Sequence, residues 1–493
     1  MSYTTHYYRD CNLNNRRSFF SFITGCLLTV FTLAAASIEL PDIGDSSGAT
    51  ISPEKEHRLG AAFYRSLQGQ GAILDDLETQ EYLQNIGRKL VLYSDGAGQE
   101  FTFFPIAARS INAFAAPGGF IGVNAGLILN TQSESELAGV LAHEVSHITQ
   151  RHMARSFERA ENMSVPMAVA MIGSLLLGVL DKDAGLAALT AVSAGSAQGQ
   201  INFTRTNEKE ADRVGMALLS RAEFDPKGMP DFFLRLQVAN RLTDPAFLPE
   251  FLRTHPVTTS RISDSTNRLA EYPARAHKNS EAYLLTKARI EVVAAKSERH
   301  AEKIFKIAVR EDGSNANHYG YALALTGVGK YEKARKELMP LIEKDNNNSS
   351  YLLALAEIEV AARSYKESFK VYEGLNSLYP NYKPVVMSYA KALLQVNRTK
   401  EAKALLLDYG IKYGTDRNYY ELLAEAEGRD GAIVEAHLAL SEFHYLSGET
   451  ERALEQLRIA EKAGHLDYYH RERLEYRREQ IEKELEIEKE FRK

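Results

Sequence analysis

His143-Glu144-Val145-Ser146-His147 decides how this chain is read. On an α-helix, residues four apart are rotated by about 400° and stand nearly one above the other. His143 and His147 can therefore grip one metal ion from a single face. Glu144 lies about 100° round from His143, within reach of a water on that metal. Zinc takes nitrogen and oxygen ligands readily, and a catalytic site keeps one position for water. Metal binding brings that water's pKa to roughly 7. A neighbouring carboxylate can then take its proton and pass it to a leaving amine. The H-E-x-x-H spacing is what this chemistry requires. Leu137, Val140, Leu141, Val145 and Ile148 form an apolar stripe at helical spacing, which puts the motif on a helix. Ser133 and Glu136 offer a capping box at its start.

Two histidines leave the site incomplete, and a further protein ligand is commonly a Glu or a His. Asn207-Glu208-Lys209-Glu210-Ala211-Asp212 opens a long helical segment downstream. Glu208 and Asp212 stand one turn apart, so both can face the metal. Glu208 can be the third ligand, and Asp212 can orient a ligating histidine and set its tautomer. Without the upstream motif this acidic cluster would read as a solvated helix face. His255 precedes Pro256, which holds it in an extended or turn conformation. It can project into a cleft or sit in a surface turn. His152 is offset from the ligand face, placed behind a ligand or at the surface.

Short strands precede the motif: Phe101 to Ile106, Ile111 to Ala115 and Phe120 to Val123, with a turn at Pro117-Gly118-Gly119. Strands beside a metal site can offer an edge to which a peptide adds as an extra strand. Asn112, Ala113, Phe114 and Gly119 are the candidate substrate-binding residues on that reading. A plain structural hairpin is the alternative.

The chain has 493 residues and a formal net charge of −6, with no basic cluster of the kind that binds nucleic acid. Arg16 and Arg17, an apolar core from Ser18 to Leu33 and Ala34-Ala35-Ala36 read as an export signal over residues 1–36. An uncleaved anchor is the competing reading. Both cysteines, Cys11 and Cys26, fall inside this segment, so neither disulfides nor thiol catalysis can serve the exported chain. A large cysteine-free exported protein suits the periplasm of a Gram-negative bacterium. The apolar stretch between residues 163 and 197 is broken by Asp181-Lys182-Asp183 and is short for a bilayer span. We expect two helices there that cover the site and touch a membrane surface peripherally. A membrane-embedded hairpin is the alternative.

Beyond residue 280 strand signals vanish. Ala334, Ser368 and Ala402 recur in similar settings every 34 residues, the tetratricopeptide period. A fourth unit is expected around Ala453, out of step, with an extra helix near Tyr419 to Glu427. The segment from Ser280 to Asp312 reads as a degenerate first repeat. Stacked hairpins of this kind present a concave surface for extended or partly folded polypeptide.

Taken together, His143-Glu144-x-x-His147, Glu208-x-x-Ala211-Asp212 and His255-Pro256 with Arg261-Ile262 resemble the HtpX-related gluzincin metallopeptidases, in their exported, repeat-bearing form. The run from Asn112 to Gly119 fits that group too. The resemblance implies one Zn²⁺ per chain with Glu208 as third ligand. It implies that His255 takes the fourth zinc position in a latent state. The apolar stretch after the zinc helix would be part of a plug over the cleft. It also implies zinc endopeptidase action on unfolded or misassembled outer-membrane proteins, at the barrel-assembly machinery. A chaperone or adaptor with a mainly latent metal site is the competing function. The expected fold is α+β: a mostly helical zincin-type domain with a small sheet over 37–275, then an all-α tetratricopeptide solenoid over 276–493.

Overall fold

The computed structural model describes residues 52–159, 197–242, 249–275, 278–463 and 466–491. The expected export signal lies outside these residues, as does all but the last residue of the apolar 163–197 stretch.

The first helix, α1 (Pro53–Gly69), starts at Ser52, whose hydroxyl accepts the Lys55 N–H at 3.3 Å. Proline fits this first position because its missing N–H would go unpaired there anyway. The second, α2 (Leu77–Val91), starts after Asp76, whose carboxylate accepts the Thr79 N–H at 2.9 Å. Three strands follow: β1 (Thr102–Ile106), β2 (Ala113–Ala116) and β3 (Phe120–Asn124). They form one sheet in the order β1-β3-β2, with β1 parallel and β2 antiparallel to β3. This leaves β2 at a sheet edge.

After a short α3 (Ala125–Asn130) comes α4 (Glu134–Thr149), which carries the H-E-x-x-H motif. Every residue of α4 from Glu134 to Ser146 is buried. It packs against α2 and β2, and against α6 (Ala197–Arg221) and α7 (Gly228–Leu242). Leu137, Leu141, Val145, Phe103, Val123, Leu219 and Phe233 share its core. Ser133 caps the Glu136 N–H at 3.2 Å. The return arm of the expected capping box is redirected. The Glu136 carboxylate accepts the Gln132 N–H at 2.7 Å instead, and Arg235 of α7 holds it there. Between α4 and α6 lies α5 (His152–Arg159), and after α7 come α8 (Glu250–Thr254) and α9 (Thr259–Arg268).

The remainder is helical hairpins. They are α10 (Glu281–Val293) with α11 (Glu298–Glu311), α12 (Asn315–Gly327) with α13 (Tyr331–Lys344) and α14 (Ser349–Ala361) with α15 (Tyr365–Leu378). Then follow α16 (Lys383–Gln395) with α17 (Thr399–Tyr413), α18 (Arg417–Arg429) with α19 (Ile433–Leu446) and α20 (Thr450–Lys462) with α21 (Tyr468–Phe491). Ala334, Ser368 and Ala402 are fully buried. The expected break in period does not occur at the fourth unit. Ala436, 34 residues after Ala402, is buried in α19. The turns agree: Gly329, Arg363, Asn397 and Gly431, each 34 apart, all have positive φ. The helix near Tyr419 is thus the first helix of a regular repeat, and Ala453 belongs to the hairpin after it.

The array folds back on the sheet-bearing domain. Tyr283 and Ile290 of α10 are buried in that domain's core, while Leu285 and Ala288 of the same helix join the repeat core. The α16 helix packs against α2, and Arg289 pairs with Asp76 at 2.6 Å and Glu78 at 2.5 Å. Part of the surface expected to receive a polypeptide is therefore taken by α2. A cavity of about 450 Å³, lined by Glu78, Tyr82, Arg289 and Tyr382 among others, remains between them.

Farther along, Gly448 ends α19 with φ +71°, and a Cβ there would stand 2.4 Å from the Arg65 carbonyl oxygen. Only glycine allows this approach of the array to α1 without strain. Gly448→Ala should release the α20–α21 end from α1 and leave the sheet-bearing core folded. Hydrogen exchange would show faster exchange at α20 and α21 and unchanged protection in α4.

Candidate metal centre

The close approach of α6 to α4 builds the site. Gly215 sits where they touch; a Cβ there would lie 3.2 Å from the His143 backbone nitrogen and 2.9 Å from Met229 Cε. With no side chain in the way, α6 brings Glu208 and Asp212 up against His143. From the other side comes His255, one residue beyond α8. Its N–H donates to Phe251 O at 2.8 Å, and its backbone, at φ −124°, ψ 83°, stays out of the helical region that the following proline disfavours.

His143, His147, Glu208 and His255 converge, with one donor atom from each inside a sphere of contact no wider than 4.8 Å. His143 Nε2 is 3.0 Å from His147 Nε2, 3.3 Å from His255 Nδ1 and 3.4 Å from Glu208 Oε2. Glu208 Oε1 is 3.4 Å from His147 Nε2 and 3.0 Å from His255 Nδ1. Zinc bonds of roughly 2.0–2.1 Å at tetrahedral angles put ligand atoms about 3.3–3.4 Å apart. The five spacings, 3.0 to 3.4 Å with both Glu208 oxygens taking part, are close to that value, and the four donors as a set lie within 4.8 Å of one another.

The outward faces of the ligating rings fix their tautomers. His143 Nδ1 lies 3.0 Å from Asp212 Oδ1, within ion-pair reach but without the alignment of a hydrogen bond, and a proton held on that side leaves Nε2 as a lone pair turned inward. His147 Nδ1 meets His152 Nδ1 at 2.9 Å, and when His147 is the donor in that pair its Nε2 is left as a lone pair too. Two lone pairs facing each other at 3.0 Å repel unless a proton or a metal cation lies between them. Glu144 is 1% exposed, and neither carboxylate oxygen has a hydrogen-bond partner. His255 Nε2 approaches it at 3.4 Å without the alignment of a hydrogen bond. Burying a carboxylate unpaired is costly, which marks the position as one kept for chemistry.

Arg261 of α9 ties the acidic side together. Its Nε and Nη2 donate to the two Asp212 oxygens at 2.7 and 2.6 Å, and its Nη1 lies 2.7 Å from Glu208 Oε2. The guanidinium is 2% exposed and lies over the Phe233 ring at 4.8 Å. Sequence reading singled out Arg261 without assigning it this part. The cap at Thr258, whose hydroxyl accepts the Arg261 N–H, was the local signal that a helix starts there. His152, which the sequence left between two placements, is buried behind His147. Glu210, its partner at 3.1 Å, was missed because it looks like one more charge on a surface helix.

The four candidate substrate residues are placed differently. Asn112, Ala113, Phe114 and Gly119 are all buried. Phe114 packs edge-on against Phe63 and Phe104, and Gly119 holds φ +92° against the Glu100 carbonyl. Only the main chain of β2 is left to meet a peptide.

Peptidase family M48 matches residues 77–269, the span that holds all these side chains, and a tetratricopeptide repeat family matches residues 359–426. The β-barrel assembly-enhancing protease of Escherichia coli K12 is 34% identical over 427 residues, covering 85% of this chain and 86% of that one. The chain belongs to the β-barrel assembly-enhancing proteases of peptidase family M48. The Yersinia pestis protein of that name is 35% identical over 422 residues, 84% of this chain and 86% of its own. The mitochondrial metalloendopeptidase OMA1 of Schizosaccharomyces pombe is 29% identical over 215 residues, 43% of this chain and 60% of its own. As an M48 member the chain is a metallopeptidase, and the His/Glu cluster is compatible with its metal site.

The electrostatics suit a divalent cation. Glu208, Asp212 and Glu144, when ionised, face one guanidinium, a net charge of −2. Burial would raise the Glu208 pKa, but the His255, His143 and His147 contacts hold it well below the usual carboxylate range. Burial also works against Asp212, and Arg261 outweighs it to keep that carboxylate ionised. Burial pushes Glu144 upward, with His255 and His143 opposing. Burial lowers His147 to about 3, Glu208 offsetting only part of it. Against the same penalty, Asp212 and Glu208 raise His143 to about 9. Without a metal, a proton on His143 thus takes the cation's place below pH 9, and metal uptake must expel it. Affinity should fall about tenfold for each pH unit below 9. Calorimetry at pH 8 in buffers of different ionisation enthalpy should count close to one proton released per zinc bound. A count near zero would contradict the assigned protonation.

Proposed function

We propose that the chain is a periplasmic zinc endopeptidase and chaperone-like factor that works on outer-membrane β-barrel proteins and degrades those that fail to assemble. The observation that carries this is the convergence of donor atoms from His143, His147, Glu208 and His255 beside a buried Glu144 whose carboxylate has no hydrogen bond. His143, His147 and Glu208 would hold zinc. Bound there, it would polarise the scissile carbonyl and acidify its water. Glu144 takes the proton from the attacking water and returns it to the leaving amine nitrogen. Asp212, fixed by Arg261, keeps His143 in the tautomer that offers Nε2. A substrate in extended conformation would lie along the free edge of β2, recognised through main-chain groups.

His255 gives the site a resting form. Its Nδ1 fills the fourth corner of the cluster, so it must withdraw before a substrate can be cut. That same contact favours a second reading, in which the chain acts mainly as an adaptor and cuts only when released. The repeats then recruit unfolded outer-membrane protein or the barrel-assembly machinery. The names of the relatives support that class of substrate.

Glu144→Gln separates the two. It preserves shape while removing the base, so cleavage of an unfolded β-barrel protein should fall by about 10²–10⁴-fold. Zinc content should stay at one per chain. Cleavage at the wild-type rate would rule out the proposed mechanism. Barrel assembly sustained by the variant would show the adaptor role existing alongside it.

A further inference from the structure

One buried histidine beside the centre has no part in the reaction just described. We propose that His152, backed by Glu210, is a positioning residue that holds His147 in the tautomer and orientation needed to bind metal. The inference rests on the reading of His147 as a ligand.

With His147 as a metal ligand, the bonds behind it run in one direction. His147 turns Nε2 into the cluster and Nδ1 away from it, where His152 Nδ1 stands at 2.9 Å. A lone pair at His147 Nε2 requires the proton on Nδ1, so His152 Nδ1 must accept. The proton of neutral His152 then sits on Nε2, 3.1 Å from Glu210 Oε2. Arg155 Nη1 donates to the same carboxylate oxygen at 3.0 Å. The bonds thus pass from His147 to His152 to Glu210, and each proton is accounted for. The two rings meet at 78° with centroids 4.8 Å apart, an edge-on approach that serves a hydrogen bond and not a stack. His152 itself is not among the four converging donors.

The backbone is shaped to make this contact. The motif helix α4 ends at Thr149, and Arg151 adopts φ +50°, a left-handed conformation uncommon for a residue with a side chain. The reversal starts α5 with His152 facing back onto His147. Arg151 is held in this bend by Glu56, at 2.9 Å. Strain of this kind persists where surrounding contacts enforce it, and it gathers at functional sites.

The two histidine ligands are therefore held unequally. His143 leans on a carboxylate that is buried and clamped by Arg261. His147 leans on a neutral imidazole, whose own anchor is a partly exposed pair, Glu210 and Arg155.

The test is zinc affinity of the full chain, by competition with a chelator. Removing an outer partner of a metal-bound histidine weakens binding by about ten- to a hundredfold. We expect that loss for His152→Leu and a smaller one for Glu210→Ala. His152→Asn should restore most of the affinity, because its amide oxygen stands where His152 Nδ1 accepts. Unfolding of the zinc-free protein should be the same for the Leu and Asn variants. Affinity within twofold of wild type for His152→Leu would overturn the proposal. So would His152→Asn binding as weakly as His152→Leu. If His152→Leu does not fold, Glu210→Ala decides by the same twofold limit. His147→Ala is the control: wild-type affinity in that variant would overturn the ligand reading itself, and the role of His152 with it.

Discussion

Donor atoms converge at the centre of this protein so closely that a positive charge has to lie among them. The outward nitrogens of His143 and His147 face Asp212 and His152. Their inward nitrogens meet at 3.0 Å, where either a proton or a metal must sit between them. Glu208 adds a carboxylate to the same space. A cation resolves this arrangement, and the rest of the domain is built so that the side chains cannot relax away from it. Gly215 lets α6 press against α4, burial of α4 stops its histidines from turning out, and Pro256 stiffens the approach of His255.

Arg261 is the counterweight. Its guanidinium meets both Asp212 oxygens and one oxygen of Glu208 while buried over Phe233. Removing one partner from such a buried pair typically costs about 3–5 kcal/mol, because the other charge is left stranded. Arg261 sits six residues past His255, so the segment that supplies the fourth donor also supplies the charge that holds Glu208. Movement of that segment would then be felt at Glu208 as well as at the fourth corner, which couples opening of the site to its metal environment. The repeat array touches the same domain at α1 and α2 and through its own α10.

The legible parts of the site were those whose partners lie within one helix. His143 with His147, and Glu208 with Asp212, are four apart and declare a shared face. His255 is remote in sequence, and its place came from resemblance, since no local pattern brings a pre-proline histidine onto a particular helix. The parts played by Arg261, His152 and Glu210 depend on how α4, α5, α6 and α9 pack, which periodicity does not carry. The fold follows the same division. The strands and the 34-residue period were readable, yet Ala436 and Gly431 were passed over because Gly448-Glu449-Thr450-Glu451-Arg452-Ala453 looks more like Gly329-Lys330-Tyr331-Glu332-Lys333-Ala334 than Gly431 to Ala436 does. That α2 would lie against the repeats was not readable either, because α2 looks like any amphipathic helix. The Ser133 cap was read correctly, and its reciprocal arm was diverted by Arg235, a tertiary partner from another helix.

The account turns on a single divalent metal held by two histidines and Glu208, with His255 at the fourth position at rest. X-ray absorption at the zinc edge, compared between the wild-type chain and His255→Ala, tests this most directly. The account predicts four nitrogen or oxygen neighbours at about 2.0–2.1 Å, three of them imidazoles in the wild type and two in the variant. The same imidazole count in both proteins would contradict it.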